Sequence, residues 1–344
     1  MGRRIESIAP AITAAVVVLA AAAPALAKGG MPSRSEGGYL NAKGVVGPAS
    51  MVQPPRAIVG RSGTHLVYVT QPTGYGTTLA RVDTTGEEPV RTRMIGGGYS
   101  IPTVAIDKST SGLSADGSSL VLARPLMSLW QRTTRFELLD GKSLRPRTTI
   151  SLHGAYSFDA ISPDGDRIYL IEYPSPRDPS RYLVRAYDVS SRRLLGAPVI
   201  DPDEKGEPMT GKPITRTESG SGRWAYTLYR GSDEGPFVHA LDTVKGEAVC
   251  VDLAGLVRGA ELRGASLAMS PDGSELTVAA RTGGPLAVID TETLDASAPP
   301  APGADGGRVP WVLIAIAAAL GLGAGGGIIV SRHRRASRLA APDV

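Results

Sequence analysis

The chain is 344 residues long and 42% apolar, and its net charge of +4 belongs to its ends. Without Arg3, Arg4 and Glu6 at the start and Arg332, Arg334, Arg335, Arg338 and Asp343 at the finish, 31 basic residues face 31 acidic ones, which excludes the broad cationic field that draws nucleic acid. A single cysteine, Cys250, excludes an intramolecular disulfide, so the body must be held by its core and its hydrogen bonds.

Residues 1–27 read as a secretory signal peptide. Arg3 and Arg4 precede an apolar run, and Ala25-Leu26-Ala27 is a small-residue cleavage pattern. The rival, an uncleaved anchor helix, is weakened by Pro10 and Pro24, and no cysteine follows the run to carry a lipid. Residues 28–55 form an N-terminal segment in which Gly44 to Val52, GVVGPASMV, is expected to supply a strand that closes the array described next.

Between residues 56 and 293 one unit recurs. LSADGSSLVLARP begins at Leu113, ISPDGDRIYLIEYP at Ile161, ESGSGRWAYTLYR at Glu218, MSPDGSELTVAAR at Met269 and a degenerate VGRSGTHLVYVTQ at Val59. In ISPDGDRIYLIEYP, Pro163 presets φ for a turn and Gly165 accepts positive φ, so apolar strands flank a hairpin turn. A second strand ends downstream at Asp83, Asp140, Asp188, Asp242 and Asp290, at spacings of 57, 48, 54 and 48. A period near 50 with four strand patterns a to d per unit predicts an all-β propeller of about five four-stranded blades; a sixth, unreadable copy stays open. The fifth unit lacks a readable strand d, the vacancy assigned above to residues 44–52.

A Pro/Ala/Gly linker, 294–308, leads to 22 uncharged residues from Val309 to Val330, long enough at about 1.5 Å each to cross the bilayer as a helix. The arginines of the tail, 331–344, place that side in the cytoplasm and the body outside. Gly321 and Gly325 lie four apart and would allow close helix approach and weak self-association.

SPDG before an Ile-Tyr-Leu strand, and LVYVTQ with Tyr68, Val69, Thr70 and a departing Gln71, resemble the YVTN/WD40-like bacterial β-propeller repeats over residues 56–292. That resemblance implies the fold and little of function, since the repeats occur in surface-layer proteins, lactonase-like enzymes and other exported proteins. The bias to Arg over Lys with a single asparagine, Asn41, resembles proteins of high-GC actinobacteria, and the order signal, propeller, span resembles a membrane-anchored group among them.

In such a blade the a-b and c-d turns share one rim, and the b-c loops and blade-to-blade connections share the other. The first rim repeats tight turns, whereas the second carries dissimilar segments, QPTGYGTT, PLMSLWQRTTR, YPSPRDPSR, RGSDEGP and DPDEKGEPMTGKP. Variable loops on a rigid frame are where binding resides. The candidate ligand face is therefore Tyr75, Trp130, Arg132, Arg135, Arg177, Arg181, Arg230 and Asp233. Leu126, Met127, Leu129 and Trp130 suit packing back on the disc better than an exposed patch, and the five strand-end aspartates suit their own turns better than a metal.

His65, His153 and His239 lack metal-ligand spacing, and Cys250 in EAVCVDL, with no CxxC or sequence-adjacent histidine, reads as a small strand residue. No nucleophile elbow or phosphate loop is present, and GLGAGGG falls inside the span; no catalytic residue, cofactor or metal is assigned. The reading is a membrane-anchored propeller that binds an extracytoplasmic protein, peptide or glycan and no nucleic acid. The alternative is a lactonase-like hydrolase with a site at the central channel, which would need several Asp, Glu or His side chains to converge there.

Overall fold

A computed structural model describes residues 56–300, apart from 61–63, 74, 87–88, 204–208 and 232–234. All regular elements among them are β-strands, in five antiparallel sheets that follow chain order. Sheet 1 holds β1 (Arg56–Val59), β2 (Leu66–Thr73), β3 (Gly76–Asp83) and β4 (Pro89–Gly96), and sheet 2 holds β5 (Ser119–Ala123), β6 (Thr133–Asp140) and β7 (Pro146–His153). Sheet 3 holds β8 (Ala155–Ile161), β9 (Arg167–Tyr173), β10 (Arg181–Asp188) and β11 (Arg193–Val199), with β12 (Met209–Thr210) added beside β10. Sheet 4 is β13 (Lys212–Glu218), β14 (Trp224–Arg230), β15 (Pro236–Asp242) and β16 (Glu247–Asp252). Sheet 5 is β17 (Ser266–Met269), β18 (Glu275–Ala279), β19 (Pro285–Asp290) and β20 (Ala296–Ser297).

Strands β2, β5, β9, β14 and β18 each carry a mostly apolar buried stretch because both of their faces are covered, and alternate side chains go to opposite neighbours. Leu120 and Leu122 pack on Tyr68 and Leu79 of sheet 1, while Val121 packs on Phe158 and Leu170 of sheet 3. Tyr169 and Ile171 continue to Tyr229 and Leu241 of sheet 4, whose Tyr226 and Leu228 meet Leu276 and Val278 of sheet 5. Four interfaces thus join five sheets in sequence, face to face, which is the packing of a β-propeller. Sheet 1 also buries Ala80 and Val82 in a small cluster of their own. Among the described residues no apolar cluster joins sheet 5 to sheet 1.

The hairpin turns recur atom for atom. Ser114, Ser162 and Ser270 donate to Asp116, Asp164 and Asp272 at 2.6 Å each. Each of those hydroxyls, like that of Ser219, also accepts the amide five residues on. Gly117, Gly165, Gly222 and Gly273 close these turns at φ between 70° and 79°.

Three expectations need correction. Sheet 2 has three strands, not four, because residues 99–114 form only isolated bridges there, Ser100 to Ala123 and Leu113 to Leu120. Between them the chain leaves as a strap whose limbs meet at Thr103 and Thr110. Its tip donates to the innermost strand of sheet 4, Ile106 N to Pro213 O at 3.0 Å and Asp107 N to Ile214 O at 3.1 Å. Thr110 Oγ1 reaches Ala57 O of β1 at 2.9 Å and Ser111 Oγ reaches Glu218 at 2.7 Å, so the strap lies over the inner strands of sheets 1, 2 and 4.

Second, sheet 5 takes its outermost strand from downstream: β20 pairs Ala296 with Ile289 and Ser297 with Val288. Pro299 and Pro300 then end the pairing, since proline cannot donate to a ladder. Third, QPTGYGTT is no long loop, because β2 and β3 pair up to Thr73 and Gly76 and leave a tight hairpin with Tyr75 at its tip.

The expected signal peptide 1–27, residues 44–52, the expected span 309–330 with Gly321 and Gly325, and the tail 331–344 lie outside the described residues. Among the described residues no helix is long and apolar enough to cross a membrane.

Candidate functional site

The two rims differ in how their polar groups are spent. On the tight-turn rim all five strand-end aspartates accept from their own turns: Asp83 from Thr85, Asp140 from Ser143, Asp188 from Ser190 and Ser191, Asp242 from Val244 and Lys245, and Asp290 from Glu292 and Thr293. Hydrogen bonds from Ser191 and Ser190 hold the Asp188 carboxyl down at about 2. Among the described residues no three His, Cys, Asp or Glu side chains are grouped to hold a metal.

The loop rim presents side chains outward. Tyr75 is 97% exposed, and in the β5–β6 loop Met127 is 69% and Trp130 66% exposed while Leu126 and Leu129 are half-buried. Packing therefore claims two of those four apolar residues and leaves the other two at the surface. Arg132, Arg135, Arg177, Arg181 and Arg230 are all exposed on this rim, distributed over sheets 2, 3 and 4. The structure does not gather them into one site, and Asp233 lies outside the described residues. Arg135 lines a depression of about 410 Å³ with Tyr99 and Glu137, between sheets 1 and 2. Arg230 lines two others, between sheets 4 and 5, with Arg263, and in the smaller of the two Lys212 joins them.

At the centre, on the side of the tight turns, a depression of about 400 Å³ is lined by Val59, Leu113, Ala115 and Glu218. Toward the loop rim the strap carries Ile106, 62% exposed, over the inner strand of sheet 4. The opening that a channel hydrolase would use is crossed by backbone.

A buried polar row between sheets 3 and 4 went unread in the sequence. Arg216 pairs with the Asp159 carboxylate and donates to its carbonyl at 2.7 Å and to Thr227 Oγ1 at 2.8 Å. Thr227 lies opposite His239, and His239 lies opposite Cys250, whose Sγ is 3.9 Å from Nδ1. Cys250 therefore does have a histidine neighbour. Burial pushes His239 down to about 4, Asp159 opposing and Arg216 adding to the shift. A ring that stays neutral offers no positive charge to favour a thiolate, so the contact is structural.

No known family profile and no curated protein matches the sequence. Among solved structures the chain is similar to hydrazine synthase of Kuenenia stuttgartiensis, at 18% identity over 70% of this chain and 71% of that one with a TM-score of 0.42. It is similar to TolB from Acinetobacter baumannii at 14% identity, 71% of this chain and 53% of that one, TM-score 0.40, so it spans about half the length of that protein. The β-propeller domain of Cps50 (Swd1) from Myceliophteria thermophila matches at 10% identity over 75% and 73%, TM-score 0.37. Scores at this level lend none of those proteins' activities to this chain.

Proposed function

We propose that the chain is an extracytoplasmic β-propeller, tethered by residues 309–330 with its basic tail in the cytoplasm, that binds a protein, peptide or glycan on its loop rim. The asymmetry of the two rims carries this reading. The turn rim satisfies its carboxylates internally, whereas the loop rim holds Tyr75, Met127 and Trp130 more than 60% exposed and carries Arg132, Arg135, Arg177, Arg181 and Arg230, none of which forms an ion pair among the described residues. Aromatic residues and arginine are the types that anchor interfaces. Val59, 60% exposed, and Val244, 52%, are apolar exposures near the opposite rim and serve as controls.

The test is the full chain in lipid nanodiscs, probed on peptide and glycan arrays. Replacing Tyr75 and Trp130 together by alanine should weaken capture at least about tenfold, the scale of a lost aromatic anchor, while V59S with V244S leaves it unchanged. The converse pattern rejects the face, and an array with no bound partner rejects the reading.

A further inference from the structure

We propose that the depression between sheets 1 and 2 binds a free α-amino acid, its ammonium group on Glu137 and its carboxylate on Arg135. This goes beyond the rim reading and does not rest on it.

The depression, about 410 Å³, is lined from β4, β6, β7 and Tyr99, and its size suits a small molecule. Arg135 and Glu137 stand two apart on β6, so their side chains leave the same face of the strand, about 6.6 Å apart at the backbone. Both border the depression. Glu137 is 8% exposed and forms no ion pair among the described residues; its Oε2 accepts from Thr149 Oγ1, across on β7, at 2.9 Å. Arg135 is exposed and likewise forms no ion pair among the described residues.

Tyr99 ties these groups together. Burial and then Glu137 push its phenol pKa up, while Arg124 and Arg135 pull it down, so all three charges act on one hydroxyl. Arg124 sits beside Arg135, donating its amide to the Arg135 carbonyl at 3.0 Å, and lies outside the lining. The lining itself falls within residues 89–203, described throughout, and Gly74, the undescribed residue of the adjoining β2–β3 hairpin, carries no charge.

A buried carboxylate is costly unless a counter-charge or hydrogen bonds compensate it, so Glu137 calls for a donor. A bare cation at Glu137 would meet Arg135, and a bare anion at Arg135 would meet Glu137. A molecule that carries ammonium and carboxylate on one carbon answers both, with charge-assisted hydrogen bonds at each end. The Tyr99 hydroxyl can also donate to the carboxylate, and Ile95 and Pro146 give the side chain an apolar stretch of lining. A neutral sugar would hydrogen-bond the same groups and leave both charges uncompensated, which is why the amino acid is preferred.

The probes are the twenty protein amino acids and D-glucose, titrated calorimetrically into the full chain in nanodiscs, with empty nanodiscs subtracted. At least one amino acid should bind. Its amide and its N-acetyl derivative should each bind at least about tenfold more weakly, the scale of a lost charge-assisted hydrogen bond. R135Q should abolish the preference for the acid over the amide, and E137Q the preference for the free amine over the acetylated one. Glu137→Gln keeps the side-chain shape and an acceptor for Thr149, and an unchanged melting midpoint without ligand shows that each variant folds. If E137Q is destabilised, R135Q at an exposed position still tests the carboxylate end. The proposal is overturned if no amino acid binds, if amide and N-acetyl derivative bind as tightly as the parent, if R135Q leaves the acid preference intact, or if D-glucose binds more tightly than every amino acid. The Tyr75 and Trp130 assay reads a different surface, so either result can fail without the other.

Discussion

At the scale of single residues, turn chemistry sets where each hairpin reverses, but not how much a given turn matters. Gly165 and Gly273 occupy the same position of two repeats, at φ 79° and 78°. A methyl group at Gly273 would meet nothing within 4 Å, whereas at Gly165 it would lie 2.5 Å from Ser119 Cβ of sheet 2. Ser119 is fully buried and its hydroxyl is already held by Arg147 at 2.7 Å, so it has no room to retreat. Gly273→Ala should therefore cost about 1–2 kcal/mol, the penalty of a left-handed L-residue, and Gly165→Ala about 1–3 kcal/mol more for overpacking. Chemical denaturation of the two variants measures the difference; equal losses would mean that the turn of sheet 3 does not press on sheet 2.

At the scale of elements, the row crossing sheet 4 from Arg216 to Cys250 makes the interface with sheet 3 sensitive to acid. His239 faces Thr227 and Cys250 on its own sheet, feels Asp159 of β8 and Arg216 of β13, and senses Asp201 from the sheet 3 to sheet 4 connection, whose carboxylate accepts the Cys250 amide. Its folded pKa of about 4 lies below the ordinary 6.5, so between those values the unfolded chain binds the proton and the folded one does not. Stability is therefore lost as pH falls from 6.5 to 4, by at most about 3 kcal/mol. H239L should flatten the pH dependence of the unfolding free energy in that window, and a slope that survives the substitution would assign it elsewhere. This row was illegible in the sequence because its members sit 11 residues apart or more and meet only once strands pair in register. The turns, by contrast, were legible because Ser162, Asp164 and Gly165 carry their geometry within four positions. Trp130 was legible as an aromatic in a long loop, whereas Arg263 was not, because its connection, RGAELRGAS, has no aromatic to mark it.

At the scale of the molecule, a row of sheets that touch only their neighbours should come apart as a chain of nearest-neighbour contacts. The strap breaks that pattern, because residues 103–110 depart from sheet 2 and bind sheet 4, which is not its neighbour. Ser111 and Glu218, 107 positions apart, close the same link lower down. No local pattern announces such a contact, and the period near 50 led instead to a regular strand at this place. Gly112 permits the departure: at φ 120° a side chain there would lie 2.8 Å from Val121 O. If the strap couples sheets 2 and 4, their slowest amides, in β6 and β14, should open together in hydrogen exchange on the full chain. Replacing residues 103–110 by Gly-Gly removes two backbone hydrogen bonds and the Thr110 contact, each worth about 0.5–1.5 kcal/mol. The opening free energies of β6 and β14 should then separate by about 1–3 kcal/mol, while β18, outside the link, keeps its distance from β14 across the intact interface of sheets 4 and 5. Amides of β6 and β14 that stay matched in the shortened chain would show that the neighbouring interfaces alone make the propeller cooperative and that the strap only fills its centre.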